Sequence, residues 1–181
     1  KGSGVGKTNF VYNGPSNGYA IEVKGRENVV LQDFSLDGAT KTRNAIHVVS
    51  SKNVLIENLD VYRSTEAGLF VKYSHQLTVR RNTFRDSTLW QGFRMLDCPF
   101  KDATERRCTD LYEAEKSPYG VVWTNNLLIY ENKILNNMQS GMSSHSQQVE
   151  FAGNIFDGQQ WAGIKLSDSE DLYFHNNILK N

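Results

Sequence analysis

The stretch Ala67–Phe84, AGLFVKYSHQLTVRRNTF, contains the pattern of hydrophobic and polar positions that recurs along the chain. A small residue is followed by a short apolar and polar alternation, a polar corner, a second alternation, and an Asn two residues before an apolar residue. Alternation with a period of two indicates β-strands, because successive side chains of a strand point to opposite faces. Each unit therefore predicts short strands joined by a polar corner.

Three columns of similar residues emerge when the units are aligned. The small residues that open successive units stand 21 to 28 residues apart. A unit of this length cannot bury a core alone, so the units are expected to stack on one another. The columns are the small residues Ala20, Ala45, Gly68, Gly92, Gly120, Gly141 and Gly163; the apolar pairs Val29/Leu31, Val54/Ile56, Leu77/Val79, Leu127/Ile129, Val149/Phe151 and Leu172/Phe174; and the corner residues Phe34, Leu59, Asn82, Asn132, Asn154 and Asn177.

Stacked units of one chain in register give parallel strands about 4.8 Å apart. We predict an all-β fold, a right-handed single-stranded parallel β-helix of about seven coils. The last column holds four asparagines, and an inward Asn at a tight corner can donate to and accept from the coils on either side. The sequence therefore also predicts an asparagine ladder.

The regular pattern breaks over the range Asp97–Tyr119, which contains ten charged residues and both cysteines. We predict an excursion that leaves the stack and then returns to a further coil. A disulfide between Cys98 and Cys108 would stabilise it by about 2.5–3 kcal/mol and would indicate an oxidising compartment, the alternative being two reduced cysteines. Asp102–Glu105 has the pattern of a capping box for a short helix. An equally simple alternative treats the whole range as an insertion into one long coil.

The sequence resembles the pectate-lyase-like right-handed β-helix superfamily over essentially its whole length. The opening GSGVGKTNFVY and the later LQDFSLDG are similar to the early coils of alginate C5-epimerases, tailspike depolymerases and related secreted carbohydrate-active proteins. The resemblance implies a secreted, cell-surface or virion-surface protein that acts on a polysaccharide. The range Ala67–Lys72 corresponds to the Tyr-Gly-Phe-Asp-Pro-His stretch of the epimerases and lacks its Asp and His. The polygalacturonase and pectate lyase motifs are also absent.

Composition narrows the choice of partners. Lys and Arg number 20 and Asp and Glu number 20 among 181 residues, so the net charge is zero, which argues against a nucleic-acid partner. No apolar run is long enough to span a bilayer. The segment GSGVGKT lacks the first glycine of a phosphate-binding loop. Because both chain ends lie inside the repeat, we expect residues 1–181 to be a β-helix domain from a longer protein.

Alternation also assigns sides to the first strand of each unit. Residues such as Ile21, Phe93, Met142 and Ser144 are predicted to point into the core. The residues between them form two outward columns, with aromatic residues just before the strands. The first column is Glu22, His47, Phe70, Arg94, Val122, Ser143 and Lys165, and the second is Lys24, Val49, Lys72, Leu96, Thr124, His145 and Ser167.

This face combines cations with aromatic rings, which suits an acidic polysaccharide, because aromatic faces stack on sugar rings and cations bind carboxylate or sulfate groups. We expect Arg94, Lys72 and His47 to be catalytic. We expect no metal or other cofactor; calcium suits such folds, but no carboxylate cluster in the sequence indicates it. The expected substrate-binding residues are Glu22, Trp90, Tyr119, His145, Trp161 and Lys165.

The reaction class is left open by these residues. A lyase or epimerase needs a cation to neutralise the uronate, a base such as His47 to take the C5 proton, and an acid such as Tyr73 or Tyr119. A hydrolase needs two carboxylates; Glu22 is the only one in the outward columns, and Asp97 and the excursion could supply the second. The alternative is a non-catalytic β-helix of an adhesin, of a phage tail fibre or tailspike, or of a structural surface protein. In that case an outward apolar patch could form a homotrimer interface, namely Phe70, Val49, Leu96 and Val122.

Overall fold

The computed structural model describes residues 1–88, 91–96, 124–137, 139–144, 146–160, 164–167 and 170–180. Within these ranges the secondary structure is entirely β, with short strands separated by one- to few-residue corners. The strands are β1 (Asn9–Val11), β2 (Gly18–Lys24), β3 (Glu27–Asp37), β4 (Thr42–Val49), β5 (Lys52–Tyr62), β6 (Ala67–Lys72), β7 (His75–Arg80), β8 (Thr83–Arg85), β9 (Gln91–Leu96), β10 (Thr124–Tyr130), β11 (Lys133–Leu135), β12 (Gln139–Ser144), β13 (Ser146–Ala152), β14 (Ile155–Asp157), β15 (Lys165–Ser167), β16 (Glu170–His175) and β17 (Ile178–Leu179).

The strands pair in parallel along three faces of a solenoid. The first sheet has the order β15-β12-β9-β6-β4-β2. The second sheet contains β7, β10, β13 and β16, and the third contains β1, β8, β11, β14 and β17. The long strands β3 and β5 run through the corner between the second and third sheets and belong to both. The predicted parallel β-helix is therefore confirmed.

The corner between the second and third sheets bends at one residue per coil. The residues at this corner have φ between 53° and 64°, which is the left-handed region. A single left-handed residue turns the chain without ending the strand pairing on either side. Asn, Asp and Gly adopt this conformation at little cost, whereas Arg and Glu need support from the stack. The residues are Asp33, Asn58, Arg81, Glu131, Gly153 and Asn176.

The predicted asparagine ladder directly follows this corner and is confirmed. The Asn82 backbone N–H and side-chain amide both donate to Asn132 Oδ1, each at 3.0 Å. Asn132 donates in the same way to Asn154 at 3.0 Å, and Asn154 to Asn177 at 2.9 Å. The ladder provides hydrogen-bond partners for the buried Asn side chains and backbone amides. The apolar columns fill the rest of the core with residues such as Ile56, which is fully buried.

Ion pairs between neighbouring coils fasten the outer surface of the third sheet. Arg85 donates two hydrogen bonds to Asp60 on the preceding coil, at 2.9 and 3.0 Å, and its guanidinium lies 4.3 Å from the centre of the Tyr62 ring. Arg63 likewise pairs with the nearly buried Asp37. Each contact joins residues that are 25 or 26 positions apart in sequence and lie on adjacent coils. These ion pairs therefore stabilise the stacking of coils.

The predicted count of about seven coils is slightly too high for the described residues. β9 pairs directly with β12, and β7 pairs directly with β10, so β9 and β10 belong to the same coil. The alternative of an insertion into one long coil is therefore the correct one. Thr124 begins a strand of the second sheet and does not belong to an outward column of the first. Cys98, Cys108 and the possible helix at Asp102–Glu105 lie outside the described residues.

Candidate functional site

Strand register places one column of candidate residues across all six strands of the first sheet. The pairs run from Glu22 to His47, from His47 to Phe70 and from Phe70 to Arg94. The neighbouring column contains Lys24, Val49 and Lys72. Neighbouring positions are about 4.8 Å apart, so the first column extends over roughly 24 Å. Its members in strand order are Glu22, His47, Phe70, Arg94, Met142 and Lys165.

The register corrects the sides predicted for β12. Met142 pairs with Arg94 and Lys165, so it belongs to the outward column. Ser143 pairs with Met95 and therefore belongs to the inward one. Alignment of Gly141 with Gly92 predicts the wrong side, because Gly141 pairs with Phe93. Small residues recur in this segment, and a small side chain alone does not fix a register of period two.

His47 is held by three neighbours on this face. Its Nδ1 lies 3.3 Å from Glu22 Oε1, and its ring lies between those of Tyr19, at 4.3 Å, and Phe70, at 5.6 Å and nearly parallel. A carboxylate can only accept a hydrogen bond, so a neutral His47 donates from Nδ1 and carries its basic lone pair on Nε2. The contact with Glu22 thus fixes the tautomer, but the lone pair then lies on Nε2, which is buried in this structure.

Lys72 is placed by the same aromatic ring. Its Nζ lies 5.3 Å from the centre of the Phe70 ring, within the range of a cation–π contact. The ammonium group therefore lies beside the column that contains His47 and Arg94. For Arg94 and Lys165 the structure describes the backbone, which gives their column. Trp90, Tyr119, His145 and Trp161 lie outside the described residues.

The face is packed around its second and third coils instead of being open and flat. Phe70 is only 7% exposed and Val49 only 1%, although both point away from the core. Tyr73 is also buried, against Val49, and its backbone is left-handed with φ of 46° at a corner where the other coils have Gly25 and Ser50. A bulky residue in that conformation requires support from its surroundings. Phe70 and Val49 are therefore unavailable as an exposed trimer patch; Leu96 is described by its backbone, and Val122 lies outside the described residues.

A groove on another face was missed in the sequence. It lies on the outer side of the second sheet and has a volume of about 440 Å³. Tyr130, Glu131 and Glu150 contribute to its walls, and Ala152 and Gly153 form its floor. The sequence signal for this groove is a small residue between two large ones at equivalent positions of successive units, namely Ala152 between Tyr130 and His175. We refer to it as the second-sheet groove.

The family model described as periplasmic copper-binding protein (NosD) matches residues 3–181. This chain belongs to the NosD family. The periplasmic description of the NosD family agrees with the predicted location outside the cytoplasm. A comparison with curated proteins finds no match. No helix in the described ranges is long and apolar enough to cross a membrane.

A structural comparison matches this NosD-family chain to two solved structures. The A-module of the Azotobacter vinelandii mannuronan C-5 epimerase AlgE6 has 17% sequence identity and a TM-score of 0.50, over 97% of this chain and 47% of that one. A mannuronic acid specific polysaccharide family 6 lyase from human gut microbiota has 11% identity and a TM-score of 0.33, over 88% of this chain and 48% of that one. The chain thus spans about half the length of each. The first match supports the β-helix fold.

The copper in the NosD description finds no ligand set in the described part of the chain. No group of three or more His, Cys, Asp or Glu side chains is placed there to hold a metal ion. His47 contacts Glu22, and His175 contacts Glu150 on a different sheet. Burial lowers the pKa of His75, which favours its neutral form, but it is not part of such a group. The described residues therefore do not fit a copper site.

Proposed function

We propose that this chain binds an acidic polysaccharide along the outer face of the first sheet. The observation that carries the proposal is the single column that joins Glu22, His47, Phe70 and Arg94 on adjacent strands, with Lys72 beside it. A linear array at strand spacing suits an extended chain better than a compact ligand. The fold shared with a mannuronan C-5 epimerase makes polymannuronate the first substrate to test.

The arrangement also supports a chemical role on uronates. Removing the C5 proton requires that the adjacent carboxylate be neutralised, and Lys72 and Arg94 are the cations at the column. His47, in the tautomer selected by Glu22, is the proposed base; because its Nε2 is buried, the ring or its aromatic neighbours must move before a uronate can reach it. Tyr73 is buried, so we do not propose it as the acid. Lys165 and Glu22 are proposed to bind sugar units at the two ends of the column.

Binding and proton removal can be tested separately. We expect polymannuronate to retard the protein in affinity electrophoresis, less so as salt increases. Lys72→Ala and Arg94→Ala should each weaken binding about five- to tenfold, because each removes one charged contact. Lys133→Ala, an exposed residue on the third sheet, is the matched control and should change nothing. If Lys72→Ala and Arg94→Ala bind polymannuronate as tightly as Lys133→Ala does, the outer face of the first sheet is not the binding site.

Turnover separates the enzyme from the binding protein. In D₂O, proton removal at C5 would introduce deuterium into polymannuronate or pectate, measured by NMR. Unsaturated products that absorb in the ultraviolet would indicate a lyase, and reducing ends without them a hydrolase. Loss of deuterium exchange in His47→Ala, with binding retained, would support His47 as the base. Binding without any turnover would favour the non-catalytic β-helix of an adhesin or tailspike, whose trimer would be seen by light scattering.

Copper binding is a second candidate, favoured by the family match over residues 3–181. Cys98, Cys108 and His145 are residues of the types that bind copper, since thiolates suit Cu(I) and imidazole suits both oxidation states. Competition of the intact chain with a coloured Cu(I) chelator under anaerobic conditions tests this candidate. Binding that is lost in Cys98→Ser and His145→Ala would support it, and failure to compete with the chelator would refute it.

A further inference from the structure

The second-sheet groove lies where β10, β13 and β16 approach the corner to the third sheet. Its volume of about 440 Å³ lies within the usual range for small-ligand pockets. The outward residues around it are unusually apolar for an open surface. Leu128 is 41% exposed and Tyr173, two strands away in the same column, is 61% exposed. This face therefore combines an indentation with exposed apolar surface.

The indentation is one coil wide and has a simple cause. Ala152 pairs with Tyr130 on one side and with His175 on the other, so a small side chain stands between two large ones. In the adjoining corner column, Gly153 stands between Glu131 and Asn176. The flanking strands are about 9.6 Å apart, twice the strand spacing. That gap accommodates one flat ring.

The backbone does not require the glycine at this position. Gly153 has a φ of 63°, but Glu131 and Asn176 adopt the same left-handed conformation with side chains. A Cβ at Gly153 would come no closer to another atom than 4.0 Å, from Glu131 Cγ. Packing therefore does not demand a glycine here, and the missing side chain leaves space at the surface.

The aromatic wall of the groove is fixed in place. Arg80 donates a hydrogen bond of 2.8 Å to the Tyr130 hydroxyl, and its guanidinium lies 5.9 Å from the centre of the ring. Glu57 in turn accepts a hydrogen bond of 2.7 Å from Arg80. A ring held in this way loses little further freedom when a ligand stacks on it. On the other side, Glu150 contacts His175 at 3.0 Å and keeps its carboxylate at the groove.

We propose that the second-sheet groove is a binding site for an uncharged sugar ring. Tyr130 offers an aromatic face to the apolar face of a pyranose. Glu131, Glu150 and the Asn176 amide line the same space and can accept and donate hydrogen bonds to hydroxyl groups. Two carboxylates at one small site repel a uronate and exclude it. The groove therefore differs in specificity from the first-sheet face, and it does not depend on that face being functional.

The site can be filled without disturbing the stack. Ala152→Tyr places in the middle coil a side chain that resembles its two neighbours in the column, Tyr130 and His175. We would titrate the intact chain with mannopentaose, cellopentaose, xylopentaose and maltopentaose, and with a mannuronate pentamer, by saturation-transfer NMR and calorimetry. Lys133→Tyr, which adds the same side chain to the third sheet, is the matched control.

We expect at least one neutral pentasaccharide to bind, with transfer to the ring protons of the bound sugar. Ala152→Tyr should weaken it at least about tenfold, and Lys133→Tyr should leave it unchanged. Tyr130→Ala should weaken binding similarly, whereas Tyr130→Phe, which keeps the ring, should retain most of it; this pair tests the site even if Ala152→Tyr does not fold. The proposal is overturned if no neutral pentasaccharide binds, if Ala152→Tyr and Tyr130→Ala bind as the parent does, or if the mannuronate pentamer binds the groove as tightly. These results do not test binding at the first sheet. That binding is tested separately by the affinity of Lys72→Ala for polymannuronate.

Discussion

Replacing Asn132 with Ala should severely weaken the stack, because this side chain uses its full hydrogen-bonding capacity in the core. Asn132 Oδ1 accepts from the Asn82 backbone N–H and side-chain amide, each at 3.0 Å. Its Nδ2 donates to the Val79 carbonyl at 2.9 Å and to Asn154 Oδ1 at 3.0 Å. The residue is 1% exposed, so water cannot replace these partners. The substitution therefore removes four hydrogen bonds that join three coils.

The size of the effect follows from what is left behind. The Asn82 backbone N–H loses its acceptor in the core, which costs about 1–3 kcal/mol, and each of the other three bonds contributes about 0.5–1.5 kcal/mol. The Asn82 amide keeps a bond to a backbone carbonyl, and Asn154 Oδ1 keeps the Asn132 N–H. Because these two groups stay partly satisfied, we expect a total of about 3–4 kcal/mol. That is a large part of the roughly 5–15 kcal/mol that stabilises a typical domain.

Urea unfolding followed by circular dichroism measures this difference. For a slope near 3 kcal/mol/M, Asn132→Ala should lower the midpoint by about 1 M. Lys133→Ala, the adjacent exposed residue, is the control and should stay within about 0.5 kcal/mol of the parent. Hydrogen exchange should show the largest loss of protection at the Asn82 amide. A loss of stability below about 1 kcal/mol, or one that equals the control, would refute the assignment of the ladder as a main stabilising element.

Two further predictions concern charged contacts between coils. Hydrogen bonds from two arginines of the next coil hold the pKa of Glu57 below its usual value. The contribution of Glu57 to stability is therefore present above about pH 4.3 and is lost as the pH falls through the folded pKa. Glu57→Gln should make the melting temperature less sensitive to pH below about 4, and a variant whose melting temperature falls with pH as steeply as that of the parent would contradict this. Arg85→Lys should lower the free energy of unfolding by about 1 kcal/mol, because Lys cannot reproduce the two-pronged contact with Asp60. Arg43→Lys, at the more exposed ion pair with Glu66, should have a smaller effect in the same urea assay.

The ladder and the inward columns could be predicted because they are properties of the repeat itself. Asn82 and Asn132 are 50 residues apart, yet each stands three residues past an apolar pair, and that local spacing survives the insertion between them. Register across the insertion was harder. Gly120 and Gly141 look like openings of new coils, but only strand pairing shows that β9 and β10 belong to one coil and that Gly141 opposes Phe93.

Alternation predicts which side a residue faces, but not whether that side is covered. Phe70 and Leu128 are both large apolar residues that point away from the core, and the sequence treats them alike. Phe70 is buried, whereas Leu128 is well exposed at the second-sheet groove. The difference depends on what packs over each sheet, which is a tertiary property that no single-strand pattern encodes. The candidate face on the first sheet was therefore expected to be more open than it is.

Both candidate sites arise where one coil departs from its neighbours in side-chain size or charge. On the first sheet, Glu22 and His47 face each other across one strand spacing, and their contact follows directly from the register. On the second sheet, Ala152 creates a ring-sized gap between Tyr130 and His175 on an otherwise continuous surface. Because the backbone repeats at each coil, a single substitution can create or fill such a site without altering the fold. Ala152→Tyr and Lys72→Ala should therefore change two different binding activities while the unfolding midpoint remains near that of the parent.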